Sequence, residues 1–269
     1  MYIMGAARSG STLLGVLIGQ AENVFYAGEL CDWPERDGLS SIEHSQEFWE
    51  TVRARVGEPA PAARFYKRLF EHPAGIGRGA AHGRLRVGYE ALTLGVLEAV
   101  AGVSRCTTVV DSSHYPRRAQ TLRRLLGRRR VRLVYLVRRP SSVAHSFRRT
   151  GDKGAVSFNL YLLLVSLQSW LIYLTHPRSQ RVIVSYEKLT EAPLEVGVSA
   201  LGRSLTGVDP SRLALPPILA GNRFVKSGPQ VRIEAADRPA SLSAIERLTD
   251  LIQWPTRTAE WMASRPSAF

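Results

Sequence analysis

Short apolar runs alternate along the chain with longer segments of helical periodicity. The runs are Tyr2 to Met4, Val24 to Ala27, Thr107 to Val110, Val131 to Val137 and Val182 to Ser185. Each is rich in β-branched or aromatic residues and is bounded by polar residues, glycine or proline, which predicts buried strands. Between them, apolar positions recur at helical spacing over Thr12 to Gln20, Ile42 to Val56, Ala62 to Phe70, Leu85 to Val100 and Pro116 to Leu126. Ser141 is placed to cap a helix from Ser142 to about Arg149. Further helices are predicted after Tyr186-Glu187-Lys188-Leu189 to about Leu205, from Ser241 to Ile252 and from Trp254 to Ser264. Strands alternating with helices predict an α/β fold of three layers with a mainly parallel central sheet, opened by a P-loop-like strand, loop and helix. In such sheets ligands sit at the carboxyl ends of the strands.

Residues 155–175, AVSFNLYLLLVSLQSWLIYLT, are long and apolar enough to raise a membrane question. Asn159, Ser166, Gln168 and Ser169 argue against a lipid-facing span, so a buried helix is expected and no integral membrane span. The glycine-rich stretch from Pro73 to Gly83 predicts a loop. No internal repeat is visible, and the 269 residues are expected to form one domain, 1–269.

Composition changes this picture in two ways. A net charge of +13 favours anionic ligands, or else reflects a solvated basic surface. Of the 36 basic residues, only Lys67, Lys153, Lys188 and Lys226 are lysines. Cys31 and Cys106 show no metal or redox spacing, which fits a reduced, cytoplasmic setting. The first strand begins at once, with no room for a basic and apolar leader ahead of it, so no signal peptide is expected.

The strand ends hold the candidate chemistry. In MYIMGAARSGSTLLGVLIGQ a strand runs into a loop of small residues and then a helix, the layout of a phosphate cradle. Gly5 and Gly10 have P-loop spacing. The lysine position, however, holds Ser11, followed by Thr12, and the basic residue is Arg8 inside the loop. That departs from a nucleoside-triphosphatase, where the lysine bridges the outer phosphates and the next hydroxyl holds magnesium. At another strand end, Arg138 is followed by Pro140 and, eight residues on, by Ser146. Arginine offers a planar fork of donors suited to phosphate, and just over two helical turns can bring Ser146 back near the same site.

Arg8-Ser9-Gly10-Ser11-Thr12 resembles the 5′-phosphosulfate loop of sulfotransferases, and the Arg138 to Ser146 segment resembles their 3′-phosphate site. Val184-Ser185-Tyr186-Glu187-Lys188-Leu189 resembles the YEDL segment of that family, which implies that Tyr186 lies near an adenine. Gly221-Asn222-Arg223-Phe224 is similar to a closing segment of related bacterial enzymes, making Arg223 and Lys226 candidates for 3′-phosphate contacts. The resemblance implies 3′-phosphoadenosine-5′-phosphosulfate as donor and no metal. It also implies an acceptor hydroxyl on a small molecule, carbohydrate or glycolipid. Residues 31–105 and 207–240 match nothing in the family and are expected to be acceptor-side and lid insertions.

Sulfuryl transfer needs charge stabilisation and a base for the acceptor hydroxyl. The loop amides from Ser9 to Thr12, with Arg8, can supply the first. Two groups can supply the second. Glu29, in Ala-Gly-Glu-Leu, resembles the base glutamate of tyrosylprotein sulfotransferases. His114, in Ser-Ser-His-Tyr-Pro, resembles the base histidine of the cytosolic enzymes, whose nearby lysine is replaced here by Ser112. Glu29 is placed first. Two rival readings are a P-loop kinase-like phosphotransferase and a nucleic-acid-binding protein using the arginines of 117–149; neither a magnesium motif nor an aromatic-interleaved basic motif accompanies them.

Overall fold

The run around Val131 to Val137 becomes strand β4 (Leu133–Val137), buried at every position. A strand that is apolar on both faces has to be covered on both faces, and a parallel sheet between helices does this. In the computed structural model, which describes residues 1–40, 42–73, 80–148, 155–221, 230–233 and 244–264, the sheet has five strands. They are β1 (Tyr2–Gly5), β2 (Val24–Gly28), β3 (Thr108–His114), β4 and β5 (Arg181–Ser185), in the order β2-β3-β1-β4-β5. Every pairing is parallel.

Alternation along the strands sorts the core into two faces. Ile3, Tyr26, Val110, Val134 and Leu136 point to one, where helices α1 (Ser11–Ile18) and α8 (Pro193–Leu201) pack. Leu14, Leu17 and Ile18 of α1 are fully buried there, each contributing about 1.5–3 kcal/mol. Tyr2, Met4, Leu133, Tyr135 and Val137 point the other way, under α4 (Pro116–Leu125), α6 (Ala155–Leu174) and α10 (Trp254–Ser264). Beside them, α2 (Gln46–Val56) and α3 (Ala80–Ser104) cover the β2 edge through Trp49, Val52 and Val96, with Trp33 from the turn after β2. The remaining helices are α5 (Pro140–Arg148), α7 (Tyr186–Glu191) and α9 (Ala244–Ile252). A two-stranded antiparallel ribbon joins β6 (Leu213–Ala214) to β7 (Gln230–Val231). The three-layer α/β architecture is the one the alternation predicts.

Several expectations change in detail. Strand β3 continues past Val110 to His114, because its end pairs with Met4 of β1. Residues 62–70 form a 3₁₀ turn (Pro61–Phe65) and a π turn (Lys67–Glu71) in place of an α-helix. The segment from Tyr186 to Leu189 is already helical, as part of α7, and Pro193, whose missing N–H suits only a first turn, starts the separate helix α8. Ser141 caps nothing: α5 begins at Pro140, the Ser141 hydroxyl is buried without a partner, and the Ser141 amide donates to Asp250 Oδ1 of α9 at 2.9 Å. The last part of the glycine-rich stretch, from Ala80, is already helical. Gly83–Ser104 and Ser157–Leu174 are both long and apolar enough to cross a membrane. For α6 the buried-helix expectation holds on one side only. Leu162, Val165, Ile172 and Tyr173 are buried, whereas Leu160, Leu171 and Leu174 are exposed.

Candidate active site

Register brings the strand ends level. Gly5 pairs with Leu136, Val137 with Ser185, and Met4 with His114. The residues that leave these ends therefore converge along one edge of the sheet. After β1 the chain turns sharply, with Arg8 at φ 67° and Gly10 at φ 95°. Holding a non-glycine residue in the left-handed region costs roughly 1–2 kcal/mol, so the loop must be held by its surroundings. Arg138, leaving β4, does this: its Nη1 donates to the Arg8 carbonyl at 2.9 Å. Its guanidinium also lies 4.1 Å from the centre of the Tyr186 ring, a cation–π contact. The same ring rests on Gly10, where a Cβ would come within 2.3 Å of it. Glycine is thus required there both by φ and by the close approach.

The three segments singled out at the ends of β1, β4 and β5 therefore touch one another. The Ser9 hydroxyl and Arg138 Nε are buried without a protein partner. Buried donors are nearly always satisfied, so these two fit an anionic group held in the loop. Helix α1 begins with no side-chain cap, leaving its first amides directed at the same place. Below, Ser185 Oγ accepts from the Lys188 amide at 3.2 Å and caps α7, while Glu187 Oε1 accepts from the Arg139 amide at 3.0 Å. Ser146 stands two turns into α5, half-buried, and α5 packs on Ala6 of the loop through Val143 and Ala144. Arg223 and Lys226 lie outside the described residues. Gly221, where their segment starts, lies against Thr12.

The two candidate bases occupy the neighbouring ends of β2 and β3. Gly28, at φ 80°, lets the chain pass close to the Ala220 carbonyl, which accepts from the Glu29 amide at 3.1 Å. Burial, and then the charge of Asp32, push the Glu29 carboxyl up to about 7. His114 is buried at φ 56°, with its ring centre 4.3 Å from that of Tyr115. Burial, and then the charge of Lys67, push it down to about 4. At neutral pH Glu29 titrates and His114 is uncharged. Ser112, in the position where cytosolic sulfotransferases carry lysine, is fully buried. Its hydroxyl shares a 2.8 Å hydrogen bond with the Tyr26 hydroxyl, which also reaches Thr12.

A cation reaches this side from elsewhere. Lys67 Nζ sits 2.6 Å from Asp32 Oδ1 and 3.2 Å from Glu35 Oε2. Glu29, Cys31 and Asp32 bring potential ligand atoms within 4.8 Å of one another. Asp32 is already engaged by Lys67, and burial pushes the Cys31 thiol up, so it stays protonated. As a donor set for a metal the group is poor. Sequence reasoning missed both Asp32 and Lys67, which lie in the stretch that matches nothing. The scarcity of lysine in this arginine-rich chain was the available signal. Tyr161 was missed too, because it lies in an apolar helix; its hydroxyl meets the Ala7 backbone, and its ring centre is 6.1 Å from that of His72.

A buried network lies beneath the ends of β2 and β3. Arg118 bridges Asp111 (2.7 Å) and Glu71 (2.6 Å), and all three are almost fully buried. Tyr89 donates to Glu71 at 2.9 Å. Ser113 donates to Asp111 through both amide and hydroxyl, and its Oγ accepts from the Cys31 amide at 2.9 Å. These bonds tie the turn after Glu29, the segment carrying Lys67 and the end of β3 into one piece.

No protein-family model matches the chain, and no curated protein matches it. Among solved structures, it is similar to the sulfotransferase domain from the curacin biosynthetic pathway. That likeness covers 98% of this chain and 98% of the other, with a TM-score of 0.56 at 16% identity. The sulfotransferase domain from the Synechococcus PCC 7002 olefin synthase is similar over 98% of this chain and 94% of its own, with a TM-score of 0.50 at 18% identity. At such identities the likeness concerns architecture. With near-complete coverage in both directions, the chain has the sulfotransferase fold.

Proposed function

We propose that the protein is a sulfotransferase that uses 3′-phosphoadenosine-5′-phosphosulfate and acts on an acceptor hydroxyl of a small molecule, carbohydrate or glycolipid. One observation carries the reading. Arg138 meets the Arg8 carbonyl and the Tyr186 ring together, while its Nε and the Ser9 hydroxyl keep unsatisfied donors beside the loop. Two cooperating donor sites at adjacent strand ends suit a nucleotide with phosphate at both ends of its ribose.

In this reading Arg138 and Ser146 hold the 3′-phosphate, joined by Arg223 and Lys226 from the segment that begins at Gly221. Tyr186 packs against the adenine. The amides from Ser9 to Thr12 and the Arg8 side chain hold the 5′-phosphosulfate and the charge that develops on it. When bound, the donor supplies a sulfuryl group on a phosphate leaving group. Glu29 takes the proton of the acceptor hydroxyl, for which a pKa of about 7 is well matched. His114, uncharged above pH 5, hydrogen-bonds the acceptor. Residues 31–105 and 207–240 shape the acceptor side and the lid of a single domain, in a cytoplasmic protein whose described cysteines are free. A nucleic-acid role is weakened by the use of Arg118 in the buried network and of Arg123 on carbonyls of α6.

The test is calorimetry with 3′-phosphoadenosine-5′-phosphate and with adenosine 5′-phosphate, which lacks the 3′-phosphate. Preference for the first by tenfold or more is expected, and Arg138→Ala should shrink it. Equal affinity for the two would remove the donor assignment. Magnesium-dependent phosphoryl transfer from a nucleoside triphosphate would establish the kinase reading in its place.

A further inference from the structure

Helix α6 has no charged residue, and its polar Ser166, Gln168 and Ser169 turn inward, Ser166 to Thr256 and Gln168 to the Pro73 carbonyl, leaving the rest of its surface apolar. A helix of that kind is normally covered all round, yet only 39% of Ser157–Leu174 is buried. Its outer side carries Leu160, Leu164, Leu167, Leu171 and Leu174, spaced four, three, four and three. That spacing makes one stripe about 21 Å long. Leu160, Leu171 and Leu174 are 58%, 62% and 49% exposed, and the middle two are half-buried. Helix α10 packs beside α6 in the same layer, with Ala259 on the sheet side, and turns Trp254, Trp261 and Met262 outward. Of the twelve large hydrophobic residues exposed among the described ones, eight lie on α6, α9 and α10. Patches of this kind mark contact surfaces.

Charge identifies what covers it. The carboxyl end of α6 is ringed by arginines: Arg128 donates to the Thr175 carbonyl, and Arg128, Arg129 and Arg178 are exposed. A groove of about 450 Å³ between α4 and α6 is lined by Arg124, Arg128 and Leu171 together. On the described parts of α9 and α10, Asp250 accepts from the Ser141 amide and Glu260 faces Arg139, while Glu90 of α3 bridges Arg86 and Arg124. An apolar stripe bordered by Arg128, Arg129 and Arg178, which meet no carboxylate among the described residues, on a chain of net charge +13, is complementary to an anionic lipid surface. A second copy would bring the same cations to the same face.

We propose that the outer face of α6 and α10 docks the protein on an anionic membrane surface, leucines and tryptophans at the acyl boundary and arginines at the phosphates. The docking does not depend on the donor or base assignments above. It is tested by co-sedimenting the full chain with phosphatidylcholine vesicles and with vesicles that also contain phosphatidylglycerol. The protein should pellet with the second at low salt and be released by high salt. Paired Leu171→Gln and Leu174→Gln should lower partitioning about tenfold, and Arg128→Gln or Arg129→Gln about fivefold each. Circular dichroism and nucleotide affinity should be unchanged in all of these variants. Failure to pellet with anionic vesicles overturns the proposal. So does binding that responds to the arginines but not to the leucines, since that is surface attraction without docking. A dimer seen by light scattering, dissolved by the leucine variants and without vesicle binding, assigns the face to a second copy and overturns it too.

Discussion

On the side proposed for the donor, the loop after β1 is held by contacts to backbone and rings. Arg138 donates to a carbonyl, Tyr186 rests on a glycine, and Ser185 caps the helix that carries Tyr186's neighbours. On the side proposed for the acceptor the groups are held by charge: Lys67 on Asp32 and Glu35, and Arg118 between Asp111 and Glu71. The first arrangement presents unsatisfied donors at a fixed place and suits an invariant anion. In the second, burial sets protonation first, and then the charge of Asp32 raises Glu29 to near neutrality while that of Lys67 keeps His114 uncharged. Where a ligand does not vary, backbone geometry suffices. Where a proton must be moved, burial and neighbouring charge decide the outcome.

If this division is right, Glu29→Gln produces the largest effect. Turnover should fall by about 10²–10⁴ with donor affinity retained. In the parent, kcat/KM should rise with pH through about 7 and then level, because Glu29 is active when deprotonated and its pKa lies there. The variant should lose that limb. A limb near 4 in the parent, abolished by His114→Ala, would transfer the role of base to His114.

Next comes Arg118→Met. It leaves Asp111 and Glu71 buried without their shared partner and should cost about 3–5 kcal/mol in urea denaturation. Loss of the network should disturb turnover more than donor binding, since none of its members touches the loop. A loss below about 1 kcal/mol would mean that this network does not hold the acceptor side together.

The smallest effect expected is that of Arg138→Ala, about 1.5–3 kcal/mol in affinity for the 3′-phosphorylated nucleotide. The pH limb assigned to Glu29 should stay where it is. A limb that moves with Arg138 would show that the two sides are coupled rather than separately built.

What could be read in advance follows the same division. Alternation of apolar runs set the five strands of the parallel sheet and its layers, because a strand buried on both faces has few other ways to be covered; the short β6–β7 ribbon, with no apolar run behind it, was not legible. Arg8 to Thr12, Arg138 and Tyr186 were legible because each lies within a few residues of a strand end, so local spacing already implies position. Ser141 was misread as a cap because the group that meets its amide, Asp250, comes from a helix more than a hundred residues away. Lys67 and Asp32 are 35 residues apart, and Arg118 and Glu71 are 47 apart, with no periodicity linking them. Ionic partners of this kind carry no local pattern. The packing of 31–105 against the β3 end brought them together, and with them came the protonation states of Glu29 and His114. The outward leucine stripe of α6 was likewise present in the letters. Which side of a largely apolar helix faces the sheet is settled by its neighbours, not by the helix itself.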